Sequence, residues 1–295
     1  MGWFLSVPLS KLGIGAGQFR LEGVHAPRGR SPEAEVGEIL SVAARSGVRV
    51  FDTSSNSNYT EAVAGAHMPK PCPFRIMVKT SRVDRGPDFV EAEARASLRR
   101  LGLMCADAII VQMAGDLFGS QGAAVWSRLQ TMRDEGLFKS IGVSALASDD
   151  PLGLVKRFKP DIIQAPASLL DQRLLIDGTL ATLAEWGVEV QLRSIFLQGL
   201  LFLPPDRVPG EFKIAASRLS RVRRMIAEGR SDPLQAALGF ALSRPEATSV
   251  IVGVTSAAEL SAVVAAAMSP PPELDWDEMA LDNPAVLDGA GWAAA

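Results

Sequence analysis

Residues Ser140–Gln164 read SIGVSALASDDPLGLVKRFKPDIIQ. An apolar run, Ser140–Val143, gives way to helical periodicity over Pro151–Phe158, and a second apolar run follows at Asp161–Gln164. This is the pattern of a strand, a helix and a parallel strand, the strands buried on both faces. Working outward, the same alternation fills the chain. Further short runs of β-branched or apolar residues stand at Leu12–Ile14, Val48–Asp52, Arg75–Lys79, Ala108–Gln112, Val188–Arg193 and Ser249–Val252. Helical stretches lie between most of them, at Ser31–Ser46, Pro87–Leu101, Gly122–Glu135, Ile176–Trp186, Lys213–Glu228, Asp232–Ser243 and Ser256–Met268. Ser31-Pro32 supplies an N-cap followed by a first-turn proline, and Gly102 stops the helix that begins near Pro87. Eight β–α repeats match the α/β class as a (β/α)8 TIM barrel, which takes about 250 residues. A doubly wound open sheet would announce a Gly-x-Gly-x-x-Gly turn after its first strand, and residues 13–18, GIGAGQ, do not complete it. No Pro/Gly/Ser-rich linker divides the chain, so one domain over 1–295 is expected. Its tail, about 269–295, opens Ser-Pro-Pro-Pro and reads as an extended segment pinned by Trp276 and Trp292.

The composition excludes several functions. The 295 residues are 47% hydrophobic and 21% charged with a formal charge of −3, so the basic bias of a nucleic-acid binder is missing. No apolar run approaches the ~20 residues of a membrane helix, and Met1–Leu9 has no basic leader region, so a soluble cytoplasmic protein is expected. Two His and two Cys are too few for a His-rich metal centre or a four-cysteine zinc site, so no metal is expected. Cys72 and Cys105 read as two reduced thiols, with a bridge between them as the alternative.

Active residues of such a barrel sit where strands end at the C-terminal face. Polar groups close six runs here: Asp52, Lys79, Gln112, Ser144, Gln164 and the pair Arg193-Ser194. Asp52 and Lys79, on neighbouring strands, are placed to form an ion pair at a pocket floor. Such a pair either tunes a nearby acid or base or simply closes the barrel end. Arg218, Arg221, Arg223, Arg224 and Arg230 cluster around one predicted helix and read as a solvated face.

These residues resemble the aldo-keto reductases. The resemblance is carried by Phe51-Asp52-Thr53-Ser54 with Glu61, Val63 and Gly65, by Val78-Lys79-Thr80, and by Ser97–Leu103 with Asp107. It continues through Lys139–Ser144, Asp161–Gln164, Gln198–Leu201 and Val250–Gly253, in order along nearly the whole chain. It implies a barrel that binds NADP or NAD and moves a hydride between nicotinamide and a carbonyl or alcohol. The family's catalytic group is an Asp, Tyr, Lys, His tetrad. The resemblance puts Asp52 and Lys79 in their places, but Ser57 in the tyrosine position and Gln112 in the histidine position. Serine is a far weaker acid than tyrosine, and Gln112 can donate a hydrogen bond but cannot titrate. Tyr59, the one tyrosine, stands two residues past its place on the same loop. Either its hydroxyl turns toward Lys79 or it packs on the loop.

On the cofactor side the resemblance assigns Ser144, Gln164, Ser194, Gly199, Gly253 and Ser256. Ala145 replaces the usual Asn, and Arg193 stands where an aromatic would stack on nicotinamide. Arg193 suits a carboxylate or phosphate better. Residues 253–259 hold no cation for a 2′-phosphate, and Glu259 would repel one, while the helix start at Ser256 offers free N–H groups to some anion. Three functions follow as expectations. The first is an NAD(P)(H)-linked oxidoreductase acting on a small-molecule carbonyl through Asp52 and Lys79, with Tyr59, Ser57 or water completing proton transfer. The others are a non-redox enzyme that uses the same pair on an anionic substrate, and a catalytically silent barrel that binds a metabolite or partner.

Overall fold

One strand forms in each of the eight apolar runs: β1 Leu12–Gly15, β2 Val50–Asp52, β3 Arg75–Lys79, β4 Ala106–Val111, β5 Phe138–Ser144, β6 Ile162–Pro166, β7 Glu189–Arg193 and β8 Ala247–Gly253. All pair in parallel, each with its sequence neighbour, and β8 returns to β1 to close the barrel. The computed structural model describes residues 9–21, 29–30, 33–53, 58–208 and 210–288. The helices are α1 Glu33–Ser46, α2 Asn58–His67, α3 Pro87–Leu101, α4 Gly122–Asp134, α5 Pro151–Phe158, α6 Thr179–Glu185, α7 Ala216–Glu228, α8 Pro233–Leu242 and α9 Ala257–Met268. Among the described residues no helix is long and apolar enough to cross a membrane, and Cys72 and Cys105 are exposed free thiols.

The pleat divides the core in two. Residues on one face of each strand, such as Ile76 and Val78 on β3 or Ile109 and Val111 on β4, join one cluster with Val36, Ile39 and Leu40 of α1. Residues of the other parity point inward. Val50, Met77, Ala108, Ile110 and Ile162 form a small separate cluster there. Gly142 on β5 lets that interior close up, because a Cβ at this position would lie 2.4 Å from Ile110 Cδ1 and 2.9 Å from the Ile162 carbonyl.

The helices follow their local signals. α1 buries Val36, Ile39, Leu40 and Ala43, a stripe at helical spacing, and α3 buries Val90, Ala94, Leu98 and Leu101. Pro87 opens α3, and Gly102 ends it at φ 69°, where its N–H reaches the Arg99 carbonyl at 3.1 Å.

Several expectations change. The continuous helix over Ile176–Trp186 is a single turn, Arg173–Ile176, followed by α6. Gly178 at φ 77° breaks the run, and Asp177 Oδ1 restarts it by accepting from Thr179 N at 2.9 Å. The predicted helix from Lys213 begins instead as a 3-10 segment, Gly210–Ala215, before α7. The tail is more than an extended strap, because it carries turns at Asp277–Met279 and Pro284–Leu287 that bury Met279, Val286 and Leu287. Trp276 packs edge-on against Phe240 with ring centroids 5.6 Å apart, whereas Trp292 lies outside the described residues. The arginines of α7 are not simply a solvated face. Arg218 donates to the Ala280 carbonyl, Arg221 pairs with Glu278, and Arg223 donates to the Leu200 and Leu201 carbonyls at 3.1 Å each. They tie the tail and the segment after β7 to the helix.

Candidate active site

The strand ends converge as the alternation requires. Asp52, the last residue of β2, and Lys79, the last of β3, form an ion pair with Nζ 3.1 Å from Oδ1. Lys79 is only 8% exposed, so this pair sits largely out of water. Gln164 of β6, fully buried, completes a triangle. Its Oε1 accepts from Lys79 Nζ, and its Nε2 donates to Asp52 Oδ1 at 3.0 Å. Burial pushes the Lys79 ammonium below the ordinary lysine pKa, against the pull of Asp52, and the nearby Arg193 charge pushes the same way.

The triangle is the upper end of a polar column through the barrel. Gln164 Nε2 also donates to Gln191 Oε1 at 3.0 Å, and Gln191 Nε2 donates to Glu189 Oε1 at 2.8 Å. Glu189 in turn holds Arg75 through two bonds of 3.0 and 2.9 Å. Arg75 and Glu189 begin β3 and β7, so the column runs from the N-terminal face to the mouth. Gln191, Glu189 and Arg75 were missed as site-supporting residues. For Glu189 and Gln191 the signal was present in the period-two order Glu189, Gln191, Arg193, which puts three polar groups on one strand face.

Arg193 continues that inward face at the mouth. Its Nη2 donates to the Ala145 carbonyl at 2.8 Å and its Nη1 to Ser194 Oγ at 3.1 Å, while its Nε is buried with no hydrogen-bond partner. Burial pushes the Arg193 pKa down, with Asp52 the largest opposing charge. Arginine stays protonated nonetheless. Ser144 lies beside Gln164 in the β5–β6 register and is buried.

The segment after β7 leaves the strand through left-handed backbone: Ser194 at φ 60°, Leu197 at 45°, Gln198 at 53° and Gly199 at 87°. Such conformations are uncommon for side-chain-bearing residues and persist when the surroundings fix them. Here Arg223 supplies part of that constraint through the Leu200 and Leu201 carbonyls.

The remaining candidates fall as follows. Gln112 follows β4, its N–H donating to Thr80 Oγ1 at 3.3 Å. Ser57 lies outside the described residues. Tyr59 is not on a loop. It is the second residue of α2, half-buried and packed against the main core. Gly253 ends β8 under the Gln18 side chain, whose Oε1 would be 2.6 Å from an added Cβ.

Two of the N–H groups expected to be free at Ser256 are in use. Ala257 N donates to Glu35 Oε1 at 2.6 Å, and Glu259 N donates to Ser256 Oγ at 3.1 Å. Glu259 Oε2 also accepts from Thr255 N and Thr255 Oγ1 at 2.7 and 2.9 Å. Two carboxylates therefore occupy the positive end of α9, where a further anion would meet repulsion.

The arrangement can hold a polar oxygen against a desolvated ammonium, with a guanidinium alongside. Comparison with known proteins gives the family. The model of the aldo/keto reductase family matches residues 11–280. An aldo-keto reductase of Mycolicibacterium smegmatis is 29% identical over 125 residues, which span 41% of this chain and 44% of that protein. The NADH-specific methylglyoxal reductase of Escherichia coli is 26% identical over 229 residues, 69% of each chain. Among solved structures, an aldo-keto reductase of Bacillus halodurans superposes with a TM-score of 0.72 at 19% identity, covering 91% of this chain and 89% of that one. The fold, the order of the strand-end residues and the family match agree: the chain belongs to the aldo/keto reductase family.

Proposed function

We propose that the protein is an oxidoreductase that interconverts a small carbonyl compound and its alcohol with a nicotinamide dinucleotide, NADH in preference to NADPH. The observation that carries this reading is the buried Asp52–Lys79–Gln164 triangle at the mouth of a barrel of this family. When bound, the nicotinamide supplies or accepts the hydride at the substrate carbon.

The chain's own residues do the rest. Lys79 meets the carbonyl oxygen with its ammonium and donates the proton that oxygen needs, the task usually given to tyrosine. Desolvation makes that ammonium a stronger acid than lysine in water. Asp52 keeps the side chain charged and aimed, and Gln164 fixes both partners. Gln164 is held in turn by Gln191, which prevents its amide from rotating away. Ser144 and the backbone from Ser194 to Gly199 line the mouth on the cofactor side.

The adenosine end favours NADH on charge. Glu35 and Glu259 oppose a 2′-phosphate at the start of α9, and Glu259 Oε1 can accept from a ribose hydroxyl instead. The NADH-specific Escherichia coli relative has the same preference.

Calorimetric titration of the protein with each dinucleotide tests this. NADH should bind in the micromolar range and NADPH about tenfold more weakly or worse. Silence with both at millimolar concentration would overturn the reading and favour a non-redox enzyme or a silent binding barrel.

A further inference from the structure

The inward face of β7 begins with a charge that the proposed reaction leaves unused, the Glu189 carboxylate. We infer that Glu189 is a positioning residue for Lys79 at the opposite face: it sets the direction of hydrogen bonding along the column between them and so keeps the Gln164 oxygen turned toward the ammonium. For its consequence in the reaction this rests on the oxidoreductase reading; the effect on Lys79 itself does not. From the mouth downward, every bond of the column donates the same way. Lys79 Nζ donates to Gln164 Oε1, Gln164 Nε2 to Gln191 Oε1 at 3.0 Å, and Gln191 Nε2 to Glu189 Oε1 at 2.8 Å. Both amides are fully buried, so each depends on its partners in the column.

An amide accepts at one end and donates at the other, and half a turn exchanges the two. A carboxylate only accepts and an ammonium only donates. Glu189 therefore admits one orientation of Gln191, with Nε2 toward the carboxylate and Oε1 toward Gln164. The other polar neighbour of Gln191 Nε2 is the Met77 thioether at 4.0 Å, a weak acceptor. Both hydrogens of Gln164 Nε2 then find acceptors, Asp52 Oδ1 and Gln191 Oε1, each at 3.0 Å, and the Gln164 oxygen is left for Lys79. Reversing Gln191 would set amide nitrogen against amide nitrogen. Gln164 could answer only by reversing too, which presents its NH2 to Lys79. That polarity suits a free amine, which can accept, and opposes the charged form. Arg75 holds the carboxylate through bonds of 3.0 and 2.9 Å, but it is Glu189 that receives the amide. The further charges acting on the two ends are Arg193 on Lys79 and Asp107, itself paired with Lys139, on Arg75.

Three variants separate direction from simple support. Glu189→Gln removes the charge at nearly constant shape, Arg75→Gln breaks the same ion pair but keeps the carboxylate, and Gln191→Met keeps the ion pair but cuts the chain of amides. Melting temperatures are taken for each. Protonation of Lys79 is followed with pH in protein without dinucleotide, by carbon-13 NMR of the lysine side chains, with Lys79→Arg to assign the resonance. The Lys79 midpoint should fall by about half a pH unit or more in Glu189→Gln and in Gln191→Met, which is about threefold more free amine at a fixed pH below it. It should hold or rise in Arg75→Gln. A midpoint unchanged in Glu189→Gln and Gln191→Met, or one that falls equally in Arg75→Gln, overturns the assignment. Should Glu189→Gln fail to fold, the contrast between Gln191→Met and Arg75→Gln decides alone. In the reaction, the alkaline limb of carbonyl reduction should move with the midpoint, in kcat and not in the KM for NADH. The two readings fail separately. A midpoint that moves in a protein that binds no dinucleotide keeps the positioning role and removes the redox function, and turnover with NADH at an unmoved midpoint does the reverse.

Discussion

At the scale of single residues, the proposed function rests on Lys79. On that proposal, its burial and its partners fit an ammonium to the task that the family gives to tyrosine. Because its pKa is lowered, the proton is lost at a pH below the lysine value of about 10.4. Carbonyl reduction, which needs the ammonium, should therefore decline as pH rises through that point. Alcohol oxidation, which needs the free amine, should climb over the same range. A pH–rate profile run in both directions checks the pair, and two flat profiles would remove Lys79 from proton transfer. Asp52→Asn removes the charge that opposes desolvation, so the reduction profile should move further toward acid, with turnover lower by about 10²-fold or more. The residue scale was also the least legible in the sequence. Asp52 and Lys79 stood out as polar ends of apolar runs. Gln191 showed only as one of three polar residues at period two on β7, and its role as the support of Gln164 appears only when β6 is brought beside β7.

Among the elements, strands and helices carry different amounts of local information. All eight strands and the boundaries of α3 and α5 follow from apolar runs and from proline and glycine signals. α2 does not, because two of its buried residues are polar. Thr60 and Glu61 lie inside, with Glu61 held by Arg100 of α3 at 2.8 Å, so the hydrophobic period that would reveal the helix is broken by a tertiary ion pair. β5 supplies a stability test. Gly142→Ala forces a methyl group against Ile110 and the Ile162 backbone, and should cost about 1–3 kcal/mol in chemical denaturation. The segment after β7 supplies a functional one. Arg223→Ala frees the Leu200 and Leu201 carbonyls, and should raise the KM for NADH several-fold with a smaller change in kcat. At the start of α9, Glu35→Gln with Glu259→Gln should raise the affinity for NADPH relative to NADH by about tenfold. An unchanged ratio would show that these carboxylates do not set the preference.

Across the whole molecule, the barrel does more than display loops. A column of side chains links Arg75 and Glu189 at one face to Lys79 and Asp52 at the other, through two buried amides. Each buried polar group in it has its partner, which is what lets the interior of a parallel barrel remain polar along part of its axis. The column fixes the amide that fixes the dyad, so the mouth is organised from within the core. The account stands on Lys79 as the group that completes carbonyl reduction in this setting. The most direct measurement is single-turnover oxidation of NADH by small carbonyl compounds, in wild type and in Lys79→Met with NADH binding verified in each. The account predicts turnover by wild type and a loss of about 10²–10⁴-fold in Lys79→Met at unchanged NADH affinity. Equal rates in the two proteins, or no oxidation by wild type that binds NADH, would contradict it.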